Sequence, residues 1–291
     1  MNKVSDFSSN PLLVIIIFTV FAKIVGLVKE ILFASSFGTS IIADDYALGF
    51  AIMNWFPSLL LSFLTIIYVP SIIKLISKKN IRIFKLLKKL NLAVLFSSST
   101  AGLVVFFILH NFYSFNFLDS IFFGVSCLLA SMCMLEAVKL QAVKKNIYIF
   151  LECLPSAVLL LYLIFLNEET SLNILIICLI FGFFLQKLIL LKFSKQNYQI
   201  SSFENNSKLK LEINKKVIYV VVISQLFVTS ALPINFVSGS TLEDGIISSL
   251  NYSNKISIIL FAFFGTVLSR YLLPKYSYSL LEKNKKIKKI K

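Results

Sequence analysis

The chain has 291 residues, 57% of them hydrophobic, and its mean hydropathy of +0.85 is too high for a soluble domain. The formal net charge is +15. The lysines occupy short loops beside apolar segments, which is typical of contacts with anionic lipid rather than of a nucleic-acid surface. We therefore expect membrane lipids as partners and no nucleic acid.

Several apolar segments are long enough, as helices, to cross a bilayer core about 30 Å thick. In chain order they are Pro11–Phe37, Asp45–Ile73, Leu90–Asn111, Phe117–Val138, Ile147–Leu166, Leu172–Leu191, Val217–Phe236 and Gly245–Leu273. The first is too long for a signal peptide and contains Lys23, so we interpret it as a span. The sequence predicts an all-α membrane protein with about eight transmembrane helices.

The loops between these segments alternate in charge. One set is basic and includes the loops around Lys78, Lys145 and Lys208, whereas the loops around Asp44 and Glu243 contain neither Lys nor Arg. Basic loops stay on the cytoplasmic side during insertion. The alternation predicts a multi-pass protein of the bacterial inner membrane with a cytoplasmic N-terminus. We interpret the acidic residues of the outer loops as solvated charges.

A long polar stretch near residues 192–216 separates six spans from two. It predicts a six-span N-terminal lobe (1–196), a cytoplasmic linker (197–216), the first helical hairpin of a second lobe (217–275) and a basic cytoplasmic tail (276–291). A faint internal repeat supports two lobes. Gly38 and Asp44 precede one descending span, and Gly239 and Asp244 precede another.

Placing an ionisable side chain within a membrane span costs free energy on the order of 3 kcal/mol. The cost falls when the side chain faces a partner or a water-filled cavity. Lys23, Lys29 and Glu30 lie in the first predicted span, and Lys255 lies in the last. Cations from two distant spans predict a basic cavity for a phosphate or pyrophosphate. For Lys29 and Glu30, a simple ion pair near the outer interface is the alternative. Asn54 adds polar lining.

Enzyme chemistry finds little support in the sequence. Neither paired carboxylates at catalytic spacing, nor a glycine-rich phosphate loop, nor a metal-ligand pattern is present. Cys127, Cys133, Cys153 and Cys178 fall in apolar segments, where we interpret them as small hydrophobic residues. We therefore expect a transporter that has no catalytic residues, no cofactor and no metal site.

Two parts of the chain resemble the lipid II flippases, the MurJ/MviN family of the multidrug, oligosaccharidyl-lipid and polysaccharide exporter superfamily. The matching residues are Phe21-Ala22-Lys23-Ile24-Val25-Gly26-Leu27-Val28-Lys29-Glu30, Phe37-Gly38, Ala43-Asp44, Asn54, Tyr68-Val69-Pro70, and Asn251-Tyr252-Ser253-Asn254-Lys255 through Leu273-Pro274. The first group is similar to the family's opening spans, and the last is similar to its eighth span.

The resemblance implies a site and a substrate. Lys23, Lys29 and Lys255 occupy the positions of three cavity arginines, Asp44 that of an acidic residue in the first outer turn, and Asn54 that of a polar residue in the second span. Together they would hold the pyrophosphate of a polyprenyl-pyrophosphate-linked saccharide, with lipid II for peptidoglycan synthesis as the expected substrate. The headgroup would cross the membrane in a cavity between two lobes.

The chain also departs from the family pattern. Lysine replaces arginine at the three cationic positions, which keeps the charge but loses the planar donor geometry. Pro57 falls where the family has a further basic residue, and Met53 replaces a proline. Family members have about fourteen spans, so we expect a truncated copy, or a split transporter in which a second chain supplies the missing spans. The alternatives are an O-antigen or capsule flippase, a drug or ion antiporter of the same superfamily, and a non-transporting membrane scaffold.

Overall fold

The computed structural model describes residues 11–77, 82–165, 171–198 and 215–255, together with residues 265, 267–268, 270–277 and 279. The helices are α1 (Pro11–Phe37), α2 (Ile41–Ser77), α3 (Arg82–Phe112), α4 (Phe117–Ala142), α5 (Ile147–Leu151), α6 (Leu154–Ile164), α7 (Leu172–Tyr198) and α8 (Lys215–Gly239). A further helix, α9, covers residues 246–255, and the described residues of 265–279 are also helical. Within these ranges there is no strand, which confirms the all-α prediction.

Seven helices within the described ranges are long and apolar enough to cross a membrane, counting α5 and α6 together. The protein is therefore a multi-pass membrane protein. The predicted eighth span, Gly245–Leu273, lies partly outside the described residues. The C-terminal end of α2 and the N-terminal end of α3 both extend beyond the predicted spans. Hydropathy locates only the apolar part of a helix. Lys and Arg have high helix propensity, so the helix continues into the polar residues that flank the apolar part.

The fifth predicted span is broken into α5 and α6. The helix is interrupted at Glu152 and Cys153, immediately before Leu154 and Pro155. A proline has no N–H to donate, and its ring clashes with the carbonyl four residues earlier. By contrast, α2 continues through Pro57 and α8 continues through Pro233. The break places Glu152 at a helix end inside an apolar span.

Helix α4 lies at the centre of the first six spans, where it packs against α2, α3 and α7. Its approach to α3 depends on two glycines: a Cβ on Gly102 would lie 2.7 Å from the Gly124 carbonyl oxygen, and the reverse distance is the same. Small residues of this kind allow close contact of membrane helices. The hydroxyls of Ser126 and Ser131 each donate to the carbonyl four residues earlier, so they are satisfied within the apolar core.

Helix α8 packs against α2. The indole N–H of Trp55 on α2 donates to the hydroxyl of Ser230 on α8 at 3.0 Å, and Phe236 of α8 is buried. The seventh predicted span therefore contacts the first lobe directly. Most of the predicted linker, residues 199–214, lies outside the described residues, as does most of the predicted tail, so the four-part division of the chain stays a prediction.

Candidate functional site: an intramembrane charge cluster

The turn between α1 and α2 holds Asp44 in place. Gly38 ends α1 with a φ of +54°, a left-handed conformation that suits glycine, and Ser40 precedes α2. In the first turn of α2, the Asp44 carboxylate accepts hydrogen bonds from the backbone N–H groups of Gly245 at 2.6 Å and Ser248 at 2.7 Å. These N–H groups belong to the start of α9, whose free N–H groups and positive dipole end favour a carboxylate.

The interpretation of the outer acidic residues as solvated charges was wrong for Asp44 and for Asp119. Their exposed fractions are 7% and 3%. The resemblance implied that Asp44 helps to hold a pyrophosphate. The structure instead uses both of its carboxylate oxygens to hold the first turn of α9. The sequence pattern identified Asp44 as important, but only the packing of α9 against the α1–α2 turn reveals its partner.

Further contacts join the two outer turns that the internal repeat identified. The Tyr252 hydroxyl donates to the Gly38 carbonyl at 2.8 Å, and Gly245, with a φ of +90°, lies against Thr39. Tyr113, in the turn between α3 and α4, interacts with the side chain of Ser240: burial raises the pKa of the Tyr113 phenol, and this hydrogen bond opposes the shift. The two turns therefore pack directly against each other.

Lys29 and Lys255 meet at one carboxylate. The Glu30 Oε1 atom accepts from Lys29 Nζ at 2.6 Å and lies 3.1 Å from Lys255 Nζ. Lys29 is buried, whereas the Lys255 side chain is 38% exposed. Two of the predicted cations, one from α1 and one from α9, thus lie together within predicted membrane spans. Glu30 therefore pairs both with Lys29, its neighbour in α1, and with Lys255 of α9.

Aromatic rings surround these lysines. Lys29 Nζ lies 6.0 Å from the ring centre of Phe33 and 5.9 Å from that of Tyr46, and Lys255 Nζ lies 5.5 Å from that of Phe50. Each ring presents partial negative charge to the ammonium group. The rings therefore stabilise the cations without adding formal negative charge.

A second ion pair lies at the α5–α6 break. The Arg270 Nη2 atom donates to both carboxylate oxygens of Glu152, at 2.7 and 2.6 Å, and the guanidinium carbon lies 5.6 Å from the ring centre of Tyr148. Lys23 interacts electrostatically with Glu152, with Arg270 and with Lys255. Lys23 therefore lies in the electrostatic field of both ion-paired groups.

We call this set of residues the charge cluster: Lys23, Lys29, Glu30, Glu152, Lys255 and Arg270. Within it, four cations face two carboxylates, which leaves an excess of positive charge. Asn54 stands apart: it is half-buried on α2, and its side chain makes no hydrogen bond with the residues that the structure describes. Its predicted role in the site stays a prediction.

Sequence reasoning missed Arg270 and Glu152 as site residues. Both fall inside predicted spans, so the rule that singled out Lys23 applies to them as well. Comparisons with protein families, curated proteins and solved structures found no match to this chain.

Proposed function

We propose that the protein is a flippase for an undecaprenyl-pyrophosphate-linked saccharide in the bacterial inner membrane, with lipid II as its substrate and a cytoplasmic N-terminus. The observation that carries this proposal is the meeting of Lys29 and Lys255 at Glu30, within predicted membrane spans. Buried cations are expensive to maintain in a bilayer, and such residues mark substrate pathways. An excess of cations over carboxylates suits a multiply charged anion.

The chemistry of the site supports an exchange of partners. Glu30 carries one negative charge, whereas a pyrophosphate presents more charge and several acceptor oxygens to the same two ammonium groups. The pyrophosphate takes the place of Glu30 between Lys29 and Lys255, and the saccharide follows it between the helices. The polyprenyl tail stays in the surrounding lipid, where it loses no hydrophobic contact.

The packed outer turns suggest which face is closed. Two hydrogen bonds hold the α1–α2 turn against α9: one from Gly245 to Asp44 and one from Tyr252 to Gly38. In the proposed orientation this contact closes the periplasmic side, and substrate enters from the cytoplasmic leaflet. Release to the periplasm then requires Asp44 to give up the two backbone N–H groups of α9.

The charge balance also bears on the alternatives. A flippase for O-antigen or capsule units would use the same pyrophosphate chemistry, and only the saccharide would distinguish it. A drug or cation antiporter of the superfamily would need available carboxylates, whereas Glu30 and Glu152 both pair with cations. A non-transporting scaffold would gain nothing from an excess of positive charge within predicted membrane spans.

Complementation tests the proposal. The unmutated chain, alone or with a chain that supplies further spans, is expected to restore growth of a bacterial strain depleted of its lipid II flippase. Lys29→Ala and Lys255→Ala should abolish growth at unchanged membrane levels, whereas the Arg substitutions should be tolerated. Lys195→Ala, at an exposed position near the end of α7, is the matched control. An active chain whose two alanine variants keep full activity would contradict the proposed site.

A further inference from the structure

Arg270 is an unusual residue in this chain. Of the 29 basic residues only Arg82 and Arg270 are arginines. Arg270 lies inside a predicted span, with its side chain 15% exposed. An arginine stays protonated there, whereas a buried lysine can lose its proton, and its guanidinium offers five N–H donors in one plane. The position therefore holds a permanent cation with more donors than one carboxylate needs.

Most of those donors make no hydrogen bond to a described residue. Among the described residues, Arg270 makes hydrogen bonds through Nη2 alone, and both of them go to Glu152. The Nε and Nη1 groups are left to other acceptors. The Tyr148 ring centre lies 5.6 Å from the guanidinium carbon, and the buried Tyr148 hydroxyl has no hydrogen-bond partner within the described part of the chain. Buried groups of this kind cost free energy unless a ligand or water satisfies them.

We propose that Arg270 and Tyr148 form a second anion site at the α5–α6 break, in which the Glu152 carboxylate occupies the place of a phosphate group of the transported lipid. This inference rests on the proposed function. It adds a binding step before or after the step at Glu30. The Lys23 ammonium group lies in the electrostatic field of Glu152, Arg270 and Lys255, so it adds positive charge that both sites experience.

The position of Glu152 allows it to leave. It lies between two helices rather than inside one, and its side chain is 25% exposed. When a phosphate arrives, Arg270 exchanges one charge-assisted acceptor for another, so the exchange costs little. The phosphate also accepts from the Nε and Nη1 groups of Arg270 and from the Tyr148 hydroxyl. Glu152 thus acts as an internal competitor that keeps Arg270 paired while the site is empty.

If Glu152 competes with the phosphate for Arg270, removing the Glu152 charge should raise the affinity for pyrophosphate and removing Arg270 should lower it. A purely structural ion pair does not predict changes of opposite sign. The test measures binding of inorganic pyrophosphate, and of a polyprenyl pyrophosphate, to the purified full chain in lipid nanodiscs. Glu152→Gln should tighten binding about fivefold, and Arg270→Ala should weaken it about tenfold, a change of about 1.4 kcal/mol. Tyr148→Phe removes only the hydroxyl and should weaken binding about threefold. Stronger binding of the polyprenyl form would identify the lipid headgroup, rather than free pyrophosphate, as the natural ligand.

Glu136→Gln is the matched control, because it removes the charge of a glutamate that pairs with Lys139 on α4, outside the charge cluster. It should leave the affinity unchanged. Should Arg270→Ala fail to fold, Glu152→Gln and Tyr148→Phe decide the question, since both keep the cation. Binding that is weakened or unaffected by Glu152→Gln overturns the second site. If the unmutated chain binds and only Lys29→Ala and Lys255→Ala weaken binding, the second site is wrong and the proposed function stands. If the unmutated chain binds neither probe, both fail.

Discussion

Asp44 on α2 accepts a 2.6 Å hydrogen bond from the backbone N–H of Gly245, which lies 201 residues further along the chain. The second carboxylate oxygen accepts from Ser248. A carboxylate at the start of a helix satisfies N–H groups that have no partner within the helix and complements its dipole. This contact joins the α1–α2 turn with the start of α9 at the surface that we predict to be periplasmic.

Asp44→Ala should destabilise the protein by about 2 kcal/mol, because it removes both acceptors from the start of α9. Thermal unfolding of the purified protein in detergent measures this change. Asp45→Asn is the matched control on the same turn. Asp45 lies in the field of Asp44, Asp119 and Asp244, so removing its charge should have no effect or should stabilise the protein. Equal losses for the two variants would contradict the capping role.

Gly245→Ala should cost about 1–3 kcal/mol, because the φ of +90° strains any residue with a Cβ atom. The added carbon would also lie 2.9 Å from the Thr39 Cβ and 3.1 Å from its carbonyl oxygen, so the two outer turns would have to separate. Gly26→Ala is the control, since a Cβ there meets nothing within 4 Å in the middle of α1. The control should unfold at the same or a higher temperature. Unchanged stability of Gly245→Ala would show that the turns do not pack as described.

Glu30→Gln should cost about 3 kcal/mol, because it leaves the buried Lys29 without its counter-charge. Lys255→Ala should cost less, since the Lys255 side chain is 38% exposed and water replaces part of its pairing energy. Combining Glu30→Gln with Lys29→Met should recover most of the loss, because the unpaired charge is then gone. Denaturant unfolding in mixed micelles gives all three values. A double variant less stable than Glu30→Gln alone would contradict this account.

Single cysteines test the orientation. The loops around Lys78 and Lys208 lie outside the described residues, so the exposed positions Lys145 and Ser114 serve instead, in a chain whose native cysteines are replaced. An impermeant thiol reagent should label a cysteine at Ser114 in intact spheroplasts, and one at Lys145 only after lysis. The reverse pattern would overturn a cytoplasmic N-terminus.

Local features of the sequence predicted most of the helices but not their interruptions. Helix α1 begins and ends at the predicted residues. A long apolar segment that ends at Phe37-Gly38 is a local feature of the sequence, so its bounds do not depend on the helices that pack against it. Pro57, Pro155 and Pro233 look alike in sequence, yet only Pro155 accompanies a break in its span. Whether a helix tolerates proline depends on the packing around it, such as the close approach of Gly182 to Pro155.

The sequence by itself determined that this is an all-α membrane protein and that Lys23, Lys29 and Lys255 are costly residues, because transfer of apolar and charged groups between water and lipid is a local property. Only the tertiary structure decided their partners. The pairing of Lys255 with Glu30, of Arg270 with Glu152 and of Asp44 with the start of α9 joins residues far apart in the chain. Such contacts depend on how the helices pack, which the period and composition of each helix do not specify.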